Sequence, residues 1–456
     1  MRDIVIIGGG PGGYAAALYA HNFGLDVALI EKDTVGGTCL LRGCIPAKAW
    51  LHTAEVFHTV SHAGTFGVIA EPPRVDWGAA LARKQSVVDR LVGGLAGLLK
   101  QRNVEIIDGF GRLVDGGVEV TFDDGSTSVV EARHTVIATG SVPRSIPGYD
   151  FDGHRIVSSD HALDWESQPD RVAIIGAGAI GCEFASLLAD MGSEVHLFEM
   201  LDQVVPGMEP EAARVLNRAL KKKGVAVRTG VGVGPAEISD SGVRVPFGDD
   251  AVEVDVVLVA VGRAPATEGI GLEGTPVEVE RGFIHVDPAT MLTGRPGTYA
   301  VGDVVAGVPQ LAHAGFAEGI AAVTHIATGT TRPVMYSAIP LVVYTSPEVG
   351  AVGLTEQQAR DAGYEVEVTK HGMGGVGRAI IQDDTGGTVK LVAEKDGPLL
   401  GATVAGPGAG EMIHELMYAV GWEALPSEAA AFVHAHPTVS EAIGETLLAA
   451  SGTPLH

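Results

Sequence analysis

The feature that most constrains the fold of this 456-residue chain is one pattern that occurs twice. Each copy reads as a buried strand, a glycine-rich loop, a helix and a second strand that ends on a glutamate. In the first copy the strand is residues 4–7, the loop 8–13, the helix 14–23 and the second strand 27–31. In the second copy the first strand is residues 172–175, the loop 176–181 and the second strand 195–199. Glu31 lies 23 residues after Gly8, and Glu199 lies 23 residues after Gly176. The repeat predicts two α/β units in which parallel strands carry a ligand-binding loop.

The glycines of both loops have the spacing of a dinucleotide site. The first two allow a tight turn and close approach of a pyrophosphate to the helix N-terminus, and the third lets the helix pack on the strand. The glutamate is expected to bind the ribose hydroxyls. Because a carboxylate repels the extra phosphate of NADP and no arginine follows Glu199, the second site is predicted to prefer NAD. One such loop is weak evidence, but two complete copies favour two dinucleotides over a decayed duplication.

Two of only three cysteines lie shortly after the first loop, at Cys39 and Cys44. A disulfide requires Cα atoms within about 7 Å, whereas residues five apart on a regular helix face different ways. The pair can therefore form only if the backbone is distorted, which Gly43 permits. Pro46 fits the first turn of a helix over residues 47–56, so Cys44 is expected at a helix N-terminus, where the dipole favours a thiolate. The alternative is two buried, unreactive cysteines.

Composition excludes several classes of protein. The net charge of −25 argues against nucleic-acid binding, which depends on Lys and Arg. No apolar run reaches the ~18 residues that a membrane span needs, and the immediate N-terminal strand leaves no room for a leader. Three cysteines are too few for a framework of structural disulfides, which fits a protein of the reducing cytosol. In that compartment a disulfide is usually catalytic. We therefore expect an acidic, cytoplasmic α/β protein that binds neither membrane nor nucleic acid.

Residues 36–48 (GGTCLLRGCIPAK), the two glycine loops and residues 434–441 (HAHPTVSE) together resemble the pyridine nucleotide–disulfide oxidoreductase family over essentially the whole chain. Residues 138–141, 261–265, 299–303 and 344–349 also fall where that family has characteristic segments. The resemblance implies an α/β fold with two Rossmann-like dinucleotide-binding domains and a C-terminal α+β dimerisation domain. The implied divisions are an FAD domain (1–145), an NAD domain (146–268), a central segment completing the FAD domain (269–335) and an interface domain (336–456).

The resemblance also implies the cofactors and their sites. FAD is assigned to Gly8, Gly10, Gly13, Glu31, Thr38, Lys48, Gly111, Thr139, Gly140, Ser141, Asp303, Gln310, Leu311, Ala312 and His313, with Asp303 on the ribityl chain. NAD is assigned to Gly176, Gly178, Ile180, Gly181, Glu183, Glu199, Val231 and Gly262. Lys48 is expected near the flavin and paired with Glu183, both with a role in catalysis.

Four residues carry the implied chemistry. Cys39 is the outer thiol that exchanges with substrate, and Cys44 is the inner thiol against the flavin. His436 is the acid–base residue, since an imidazole suits proton transfer near neutral pH. Glu441 either orients His436 or acts only in a capping box that starts at Thr438, two roles that the sequence leaves open.

Other residues of the chain receive no chemical role. His434 is interpreted as structural and Cys182 as a packing residue. No metal site is expected, because His58 and His62 share a helix face without a third ligand. Departures from the family pattern at Leu41, at Ala47 and after His313, where many relatives have lysine, remove none of the assigned groups.

The closest branch of the family implies oxidation of protein-bound dihydrolipoamide with reduction of NAD⁺, as in 2-oxo acid dehydrogenase complexes. It also implies a homodimer whose active site receives His436 from the partner subunit, and a lipoyl-bearing acyltransferase or carrier protein as partner. One alternative is a reductase of glutathione-like or mycothiol-like disulfides that uses NAD(P)H. Another is a flavoprotein whose main role is to bind within a large assembly.

Overall fold

The structure is a computed structural model that describes all 456 residues. The strands are β1 (Arg2–Ile7), β2 (Val27–Glu31), β3 (Glu105–Asp108), β4 (Phe110–Val114), β5 (Gly117–Thr121), β6 (Thr127–Ile137), β7 (Ser141–Pro143), β8 (Ile156–Val157), β9 (Arg171–Ile175), β10 (Glu194–Glu199), β11 (Ala226–Thr229), β12 (Glu237–Ser239), β13 (Gly242–Phe247), β14 (Asp250–Val254), β15 (Val256–Val259), β16 (Arg263–Pro265), β17 (Val279–Glu280), β18 (Phe283–Ile284), β19 (Thr298–Ala300), β20 (Leu341–Val343), β21 (Glu348–Gly353), β22 (Val366–Gly372), β23 (Thr388–Glu394) and β24 (Leu399–Gly406). The α-helices are α1 (Pro11–Ala20), α2 (Gly37–Arg42), α3 (Cys44–Ser61), α4 (Trp77–Gln101), α5 (Ser159–Ala162), α6 (Ala179–Asp190), α7 (Pro210–Lys222), α8 (Ala312–Thr328), α9 (Glu356–Asp361), α10 (Gly377–Ile381), α11 (Ala409–Gly421), α12 (Pro426–Ala429) and α13 (Glu441–Ala450). No helix has both the length and the apolar character needed to cross a membrane.

Internal contacts divide the chain into two units. The first unit comprises Met1–Ala49, Leu81–Pro143 and Arg263–Tyr336, and the second comprises Trp50–Ala80, Arg144–Gly262 and Ser337–His456. The division into four segments drawn from the sequence stays a prediction.

The first unit is built on a sheet in which β3, β2, β1, β6 and β19 run parallel in that order, and β5 and β4 extend β6 as antiparallel strands. Residues 4–7 of β1 and 27–30 of β2 are continuous, buried apolar runs, as expected where both faces of a sheet are covered. Helix α1 packs closely on α8, since a Cβ on Gly319 would lie 2.6 Å from the Gly12 carbonyl oxygen. Only glycine allows this approach, which holds α8 beside the first loop.

The second unit repeats this topology. Strands β11, β10, β9 and β15 form a parallel sheet in the same order as β3, β2, β1 and β6. The fifth parallel strand, β8, precedes these four in the chain, whereas β19 of the first unit follows them. Strands β12, β13 and β14 form an antiparallel sheet. The registers correspond, with Ile7 opposite Ile30 in the first sheet and Ile175 opposite Phe198 in the second. The predicted α/β class with two Rossmann-like units is confirmed.

The C-terminal part of the second unit is an antiparallel sheet in the order β20-β21-β24-β23-β22. Helices α11 and α13 bury apolar side chains against this sheet, including Ile413, Leu416 and Ile443. The α+β character predicted for this region is therefore present. The sequence did not predict where α13 begins, since a capping box at Thr438 would start the helix at Val439, two residues before its observed first residue, Glu441.

Candidate active site

The first glycine loop is closed by contacts that admit no side chain. Gly8 has φ +105°, and a Cβ on it would lie 2.3 Å from the Ala138 carbonyl oxygen. A Cβ on Gly13 would lie 1.9 Å from the Gly8 carbonyl oxygen. These two positions require glycine because the loop turns back against β6 and α1 starts directly beneath it. Gly10 is the N-cap of α1, so the backbone N–H groups of the helix start face the loop.

Glu31 is held by this loop. Its Oε2 accepts a hydrogen bond from the Gly9 N–H at 2.6 Å, and its Oε1 accepts one from the Asp33 N–H at 2.9 Å. Burial raises the pKa of Glu31, and the Gly9 hydrogen bond opposes that rise. The carboxylate thus has a fixed orientation at the end of β2, where the sequence predicts a ribose contact.

The second loop repeats these contacts in the other unit. Gly176 has φ +98°, and a Cβ on Gly181 would lie 1.8 Å from the Gly176 carbonyl oxygen. Glu199 accepts hydrogen bonds from Ala177 N–H at 2.8 Å and Leu201 N–H at 2.9 Å. The Val231 N–H donates to the Glu199 carbonyl oxygen at 3.0 Å. The two predicted ribose carboxylates are therefore positioned by the same local device.

Three further residues predicted to bind NAD are Ile180, Gly178 and Gly262. Ile180 lies in the first turn of α6, one residue before Gly181. A Cβ on Gly178 or Gly262 would meet no atom within 4 Å, so both glycines line open space. Together they leave a cradle on the second loop that fits a dinucleotide.

The two thiols lie on a broken helix that packs on the first loop. Cys39 is in α2, and α3 begins at Cys44. Between them Gly43 has φ −149° and ψ −113°, and a Cβ there would lie 2.8 Å from the Thr38 carbonyl oxygen. Helix α2 is fastened to the loop at its start, since a Cβ on Gly37 would lie 2.5 Å from the Gly10 Cα atom. The backbone break expected at Gly43 and the helix start expected at Cys44 are both observed.

The thiols of Cys39 and Cys44 interact directly. Cys39 is partly buried and Cys44 is exposed. The hydrogen bond to Cys44, followed by burial, raises the pKa of the Cys39 thiol, and the charge of Lys48 opposes this rise. Cys44, in contrast, lies at the positively polarised N-terminal end of α3. The two sulfurs therefore have different electrostatic surroundings.

A polar cluster surrounds the segment predicted to meet the flavin. The Ser141 hydroxyl donates to Asp303 Oδ2 at 2.5 Å, and Arg263 Nε donates to the Ser141 hydroxyl at 2.7 Å. Arg263 also reaches the Thr38 hydroxyl at 3.3 Å, and Gln310 donates to the Asp303 carbonyl oxygen at 3.3 Å. Four residues predicted for FAD are thus brought together in the first unit.

The first unit also contains an unsatisfied group that fits a bound cofactor. Thr139 Oγ1 is buried without a hydrogen-bond partner, and the adjacent Gly140 lines open space, as does Gly302. A buried polar atom beside an open cradle indicates a ligand that supplies the missing partner. The residues present therefore fit FAD.

Other residues predicted for FAD have mainly structural contacts. Gly111 lies in β4, where a Cβ would come within 3.0 Å of Ile7. Leu311 is the N-cap of α8, and Ala312 and His313 form its first turn. Lys48 lies in the first unit and Glu183 in the second, where Glu183 Oε1 accepts a hydrogen bond from the Tyr344 N–H at 3.0 Å. The pairing of Lys48 with Glu183 stays a prediction.

His436 and Glu441 form a dyad in the second unit. His436 Nδ1 lies 2.9 Å from Glu441 Oε1, and the Thr438 N–H donates to Glu441 Oε2 at 2.8 Å. Both hydrogen bonds lower the pKa of Glu441, and the bond from the Thr438 N–H has the larger effect. The Thr438 hydroxyl donates instead to the Ala435 carbonyl oxygen, so the full capping box is not formed. Both contacts considered for Glu441 are therefore present at once, one on each oxygen.

Sequence reasoning missed several groups near these sites. Arg263 lies in one of the segments typical of the family, but the sequence does not predict its hydrogen bonds to Thr38 and Ser141.

Two further groups, Tyr14 and Glu318, have no assigned role in the sequence analysis. Burial, followed by the proximity of both thiols, raises the pKa of Tyr14. Glu318 is fully buried and accepts hydrogen bonds from the Gly302 N–H at 2.5 Å and the Tyr336 hydroxyl at 2.9 Å. Its sequence signal is that it is the single acidic residue of the mostly apolar helix α8.

No cluster of three or more metal-ligating side chains is present. The rings of His58 and His62 instead stack on each other, with their centroids 4.0 Å apart. Cys182 is buried and its thiol donates to the Ala177 carbonyl oxygen, so it belongs to the packing of the second loop.

Comparisons with known proteins agree with this geometry. The pyridine nucleotide-disulphide oxidoreductase family matches residues 2–319, and the dimerisation domain of the same family matches residues 339–447. The second match supports a homodimer.

Similar proteins match the chain over its full length. Dihydrolipoyl dehydrogenase of Bacillus subtilis is 38% identical, and the match covers all of this chain and 99% of that protein. The mitochondrial dihydrolipoyl dehydrogenase of Pisum sativum is 39% identical, and the match covers all of this chain and 92% of that protein. The crystal structure of LpdA from Mycobacterium tuberculosis superimposes with a TM-score of 0.90 at 27% identity, covering 98% of this chain and 99% of that one. Two glycine loops, a thiol pair and a His–Glu dyad thus occur in a chain that belongs to the pyridine nucleotide–disulphide oxidoreductase family.

Proposed function

We propose that this protein oxidises dihydrolipoamide to lipoamide and reduces NAD⁺, as a dihydrolipoyl dehydrogenase with FAD and NAD as cofactors. The observation that carries the proposal is the thiol pair Cys39 and Cys44, hydrogen-bonded together on a helix break that packs on the first glycine loop. Full-length similarity to dihydrolipoyl dehydrogenases supports this substrate. One dihydrolipoamide and one NAD⁺ yield one lipoamide, one NADH and one proton.

The cysteines perform the exchange with substrate. In the oxidised protein a substrate thiolate attacks Cys39 Sγ, the Cys39–Cys44 bond breaks and Cys44 leaves as a thiolate at the start of α3. The second substrate thiol then displaces Cys39, which closes the lipoamide disulfide and leaves the protein as a dithiol. Bound FAD supplies the two-electron carrier between this dithiol and the nicotinamide.

His436 moves the proton in this exchange. Glu441 Oε1 accepts the hydrogen bond from Nδ1–H, which leaves Nε2 of the neutral imidazole as the base for a substrate thiol. Glu441 also stabilises the imidazolium that forms. The His436 side chain is 78% exposed in the single chain, which supports a role toward a partner subunit. We propose that each active site combines Cys39 and Cys44 of one protomer with His436 of the other.

The cofactor residues keep their proposed roles. Asp303 and the groups around it bind the ribityl chain of FAD. Lys48 is paired with Glu183 and lies near the flavin ring. Glu31 and Glu199 orient the ribose groups of FAD and NAD. The partner is a lipoyl-bearing acyltransferase or carrier protein, and we infer a cytoplasmic location because the redox chemistry uses a reversible dithiol.

The replacement Cys44→Ser tests the mechanism. It should abolish dihydrolipoamide oxidation while FAD remains bound, because no disulfide can then form. The matched control is Cys182→Ser, which changes the third cysteine, outside the thiol pair, and should retain turnover. Normal turnover by the Cys44 variant would contradict the proposed chemistry.

Substrate comparison separates the proposal from its rivals. The wild-type protein should oxidise free dihydrolipoamide with NAD⁺ and should reduce oxidised glutathione poorly with either NADH or NADPH. A preference for a glutathione-like or mycothiol-like disulfide would favour the reductase alternative. Binding to an acyltransferase core without any oxidation of dihydrolipoamide would favour the binding-component alternative.

A further inference from the structure

A second histidine lies two residues before His436 and is tied to a different helix. His434 Nε2 lies 2.6 Å from Glu415 Oε1, and Glu415 lies in α11. The carboxylate accepts, so Nε2 carries the proton and donates. The His434 side chain is only 15% exposed, whereas that of His436 is 78% exposed. The two neighbouring histidines therefore have opposite environments.

The other side of the His434 ring lies against α13. A Cβ on Gly444 would come within 2.6 Å of His434 Nδ1 and 3.1 Å of His434 Cε1. The glycine therefore forms a notch in α13 that receives the ring. Gly444 is one turn after Glu441, the residue that holds His436. His434 thus fastens the segment to the helix that carries the dyad carboxylate.

The segment from 434 to 441 is consequently held at both ends. At its start His434 is fixed between Glu415 of α11 and Gly444 of α13. At its end Glu441 accepts the hydrogen bonds from Thr438 and His436. The exposed His436 ring projects between these two anchors. With the first anchor released, the His436 side chain would be held by its hydrogen bond to Glu441, and the start of the segment would be free to move.

We propose that His434 and Glu415, with the notch at Gly444, are positioning residues that set the place of the His436 imidazole for proton transfer. This inference rests on the proposed function, because His436 has work to do only if the protein exchanges thiols with a substrate. The pair does not touch the reacting atoms. It acts by removing the freedom of the segment, and a small misplacement of a base costs a large part of its rate.

Three variants test the proposal in the full-length holoenzyme. Glu415→Ala removes the acceptor, and Glu415→Gln retains an oxygen that accepts from Nε2. Gly444→Ala fills the notch and displaces the His434 ring. Because alanine has a higher helix propensity than glycine, this change does not weaken α13 itself. Glu415 is 42% exposed, so both of its variants are expected to fold. The matched control is His456→Asn, which replaces the imidazole of another His–Glu contact, with Glu445 of α13 at 3.1 Å.

The expected signature is a fall in kcat without a change in substrate binding. Glu415→Ala and Gly444→Ala should lower kcat for dihydrolipoamide at least about tenfold while KM changes less than about twofold. Glu415→Gln should recover most of kcat, and His456→Asn should resemble the wild type. The reduction of ferricyanide by NADH, which needs neither the thiol exchange nor His436, should be unchanged in all variants. The thermal midpoint of Glu415→Ala, at a partly exposed position, should stay close to that of the wild type.

Two results would overturn the inference. One is a kcat for Glu415→Ala and Gly444→Ala that equals the wild-type value. The other is a parallel loss of ferricyanide reduction and thermal stability, which would make the pair merely structural. A wild-type protein that fails to oxidise dihydrolipoamide would instead contradict the proposed function, so the two failures are distinguishable.

Discussion

Glu31 Oε2 lies 2.6 Å from the Gly9 nitrogen, and this contact binds the end of β2 to the first glycine loop. Glu199 makes the equivalent contact with Ala177 in the second unit at 2.8 Å. In each unit the other carboxylate oxygen accepts a second backbone N–H two residues further along. Both carboxylates are therefore oriented before any nucleotide binds, which lowers the ordering cost of binding.

Replacing Glu199 by glutamine should weaken NAD⁺ binding and relax the discrimination against NADP⁺. The amide offers one acceptor where the carboxylate uses two, and it lacks the charge that repels a 2′-phosphate. We expect KM for NAD⁺ to rise about tenfold, with a smaller change for NADP⁺. Steady-state assays with both nucleotides measure the ratio. Glu194→Gln, an exposed position on the same strand, is the control and should leave it unchanged.

The replacement Gly43→Ala should hinder formation of the Cys39–Cys44 disulfide. The new Cβ would lie 2.8 Å from the Thr38 carbonyl oxygen, so the break between α2 and α3 must open. Thiol titration after mild oxidation should find a larger fraction of free thiols than in the wild type. Gly93→Ala in α4 is the matched control, because a Cβ there meets nothing within 4 Å. Equal disulfide yields for both variants would contradict this account of Gly43.

Lys390 should be essential to the stability of the second unit. Its side chain is 2% exposed, and its Nζ contacts Glu209 at 2.7 Å, Glu356 at 2.9 Å and Glu211 at 3.2 Å. The replacement Lys390→Met leaves these carboxylates without their shared cation, which should cost about 3–5 kcal/mol. Urea unfolding followed by circular dichroism should show a lower midpoint.

The control for that experiment is Lys395→Met. Lys395 pairs with Glu365 at 2.5 Å at the surface, with 47% of its side chain exposed. Such pairs contribute about 0–1 kcal/mol, so this variant should unfold close to the wild-type midpoint. A comparable loss in both variants would show that burial of the Lys390 cluster is unimportant.

Glu318 should make the first unit less stable as pH rises. Burial raises the pKa of Glu318 to about 7, although hydrogen bonds from Gly302 and Tyr336 oppose this rise. The native state therefore binds a proton that the unfolded chain releases near its ordinary pKa of 4.5. By linkage, stability falls as pH rises from about 4.5 to about 7, by at most roughly 3 kcal/mol. Glu318→Gln removes this ionisation.

The measurement is the urea midpoint of the holoenzyme at about pH 5 and about pH 8, on either side of the raised pKa. The midpoint should fall less for Glu318→Gln than for the wild type between these two conditions. Glu278→Gln, at an exposed glutamate of the same unit, should behave as the wild type does. An unchanged pH dependence in the Glu318 variant would mean that Glu318 does not titrate in this range.

Much of the fold follows from local patterns. The glycine loops and their flanking apolar runs predict β1, β2, β9 and β10 within a few residues, because a tight turn beneath a helix N-terminus admits only glycine at Gly8 and Gly13. The start of α3 at Cys44 was also foreseen, since Pro46 fits only the first turn. The start of α13 was not, because the Thr438 hydroxyl donates to Ala435 and does not cap the helix.

The sequence by itself determined the chemistry, because the glycine spacing, the thiol pair and the His-Pro-Thr segment each depend on neighbours within a few residues. Only the tertiary structure decided what supports those groups. Arg263 reaches Thr38 across 225 positions, and Glu415 reaches His434 from another helix. No local pattern encodes such contacts, since they arise when sheets and helices distant in sequence pack together. The repeated glutamates show both effects: their position is written in the spacing, and their orientation comes from the loop that folds over them.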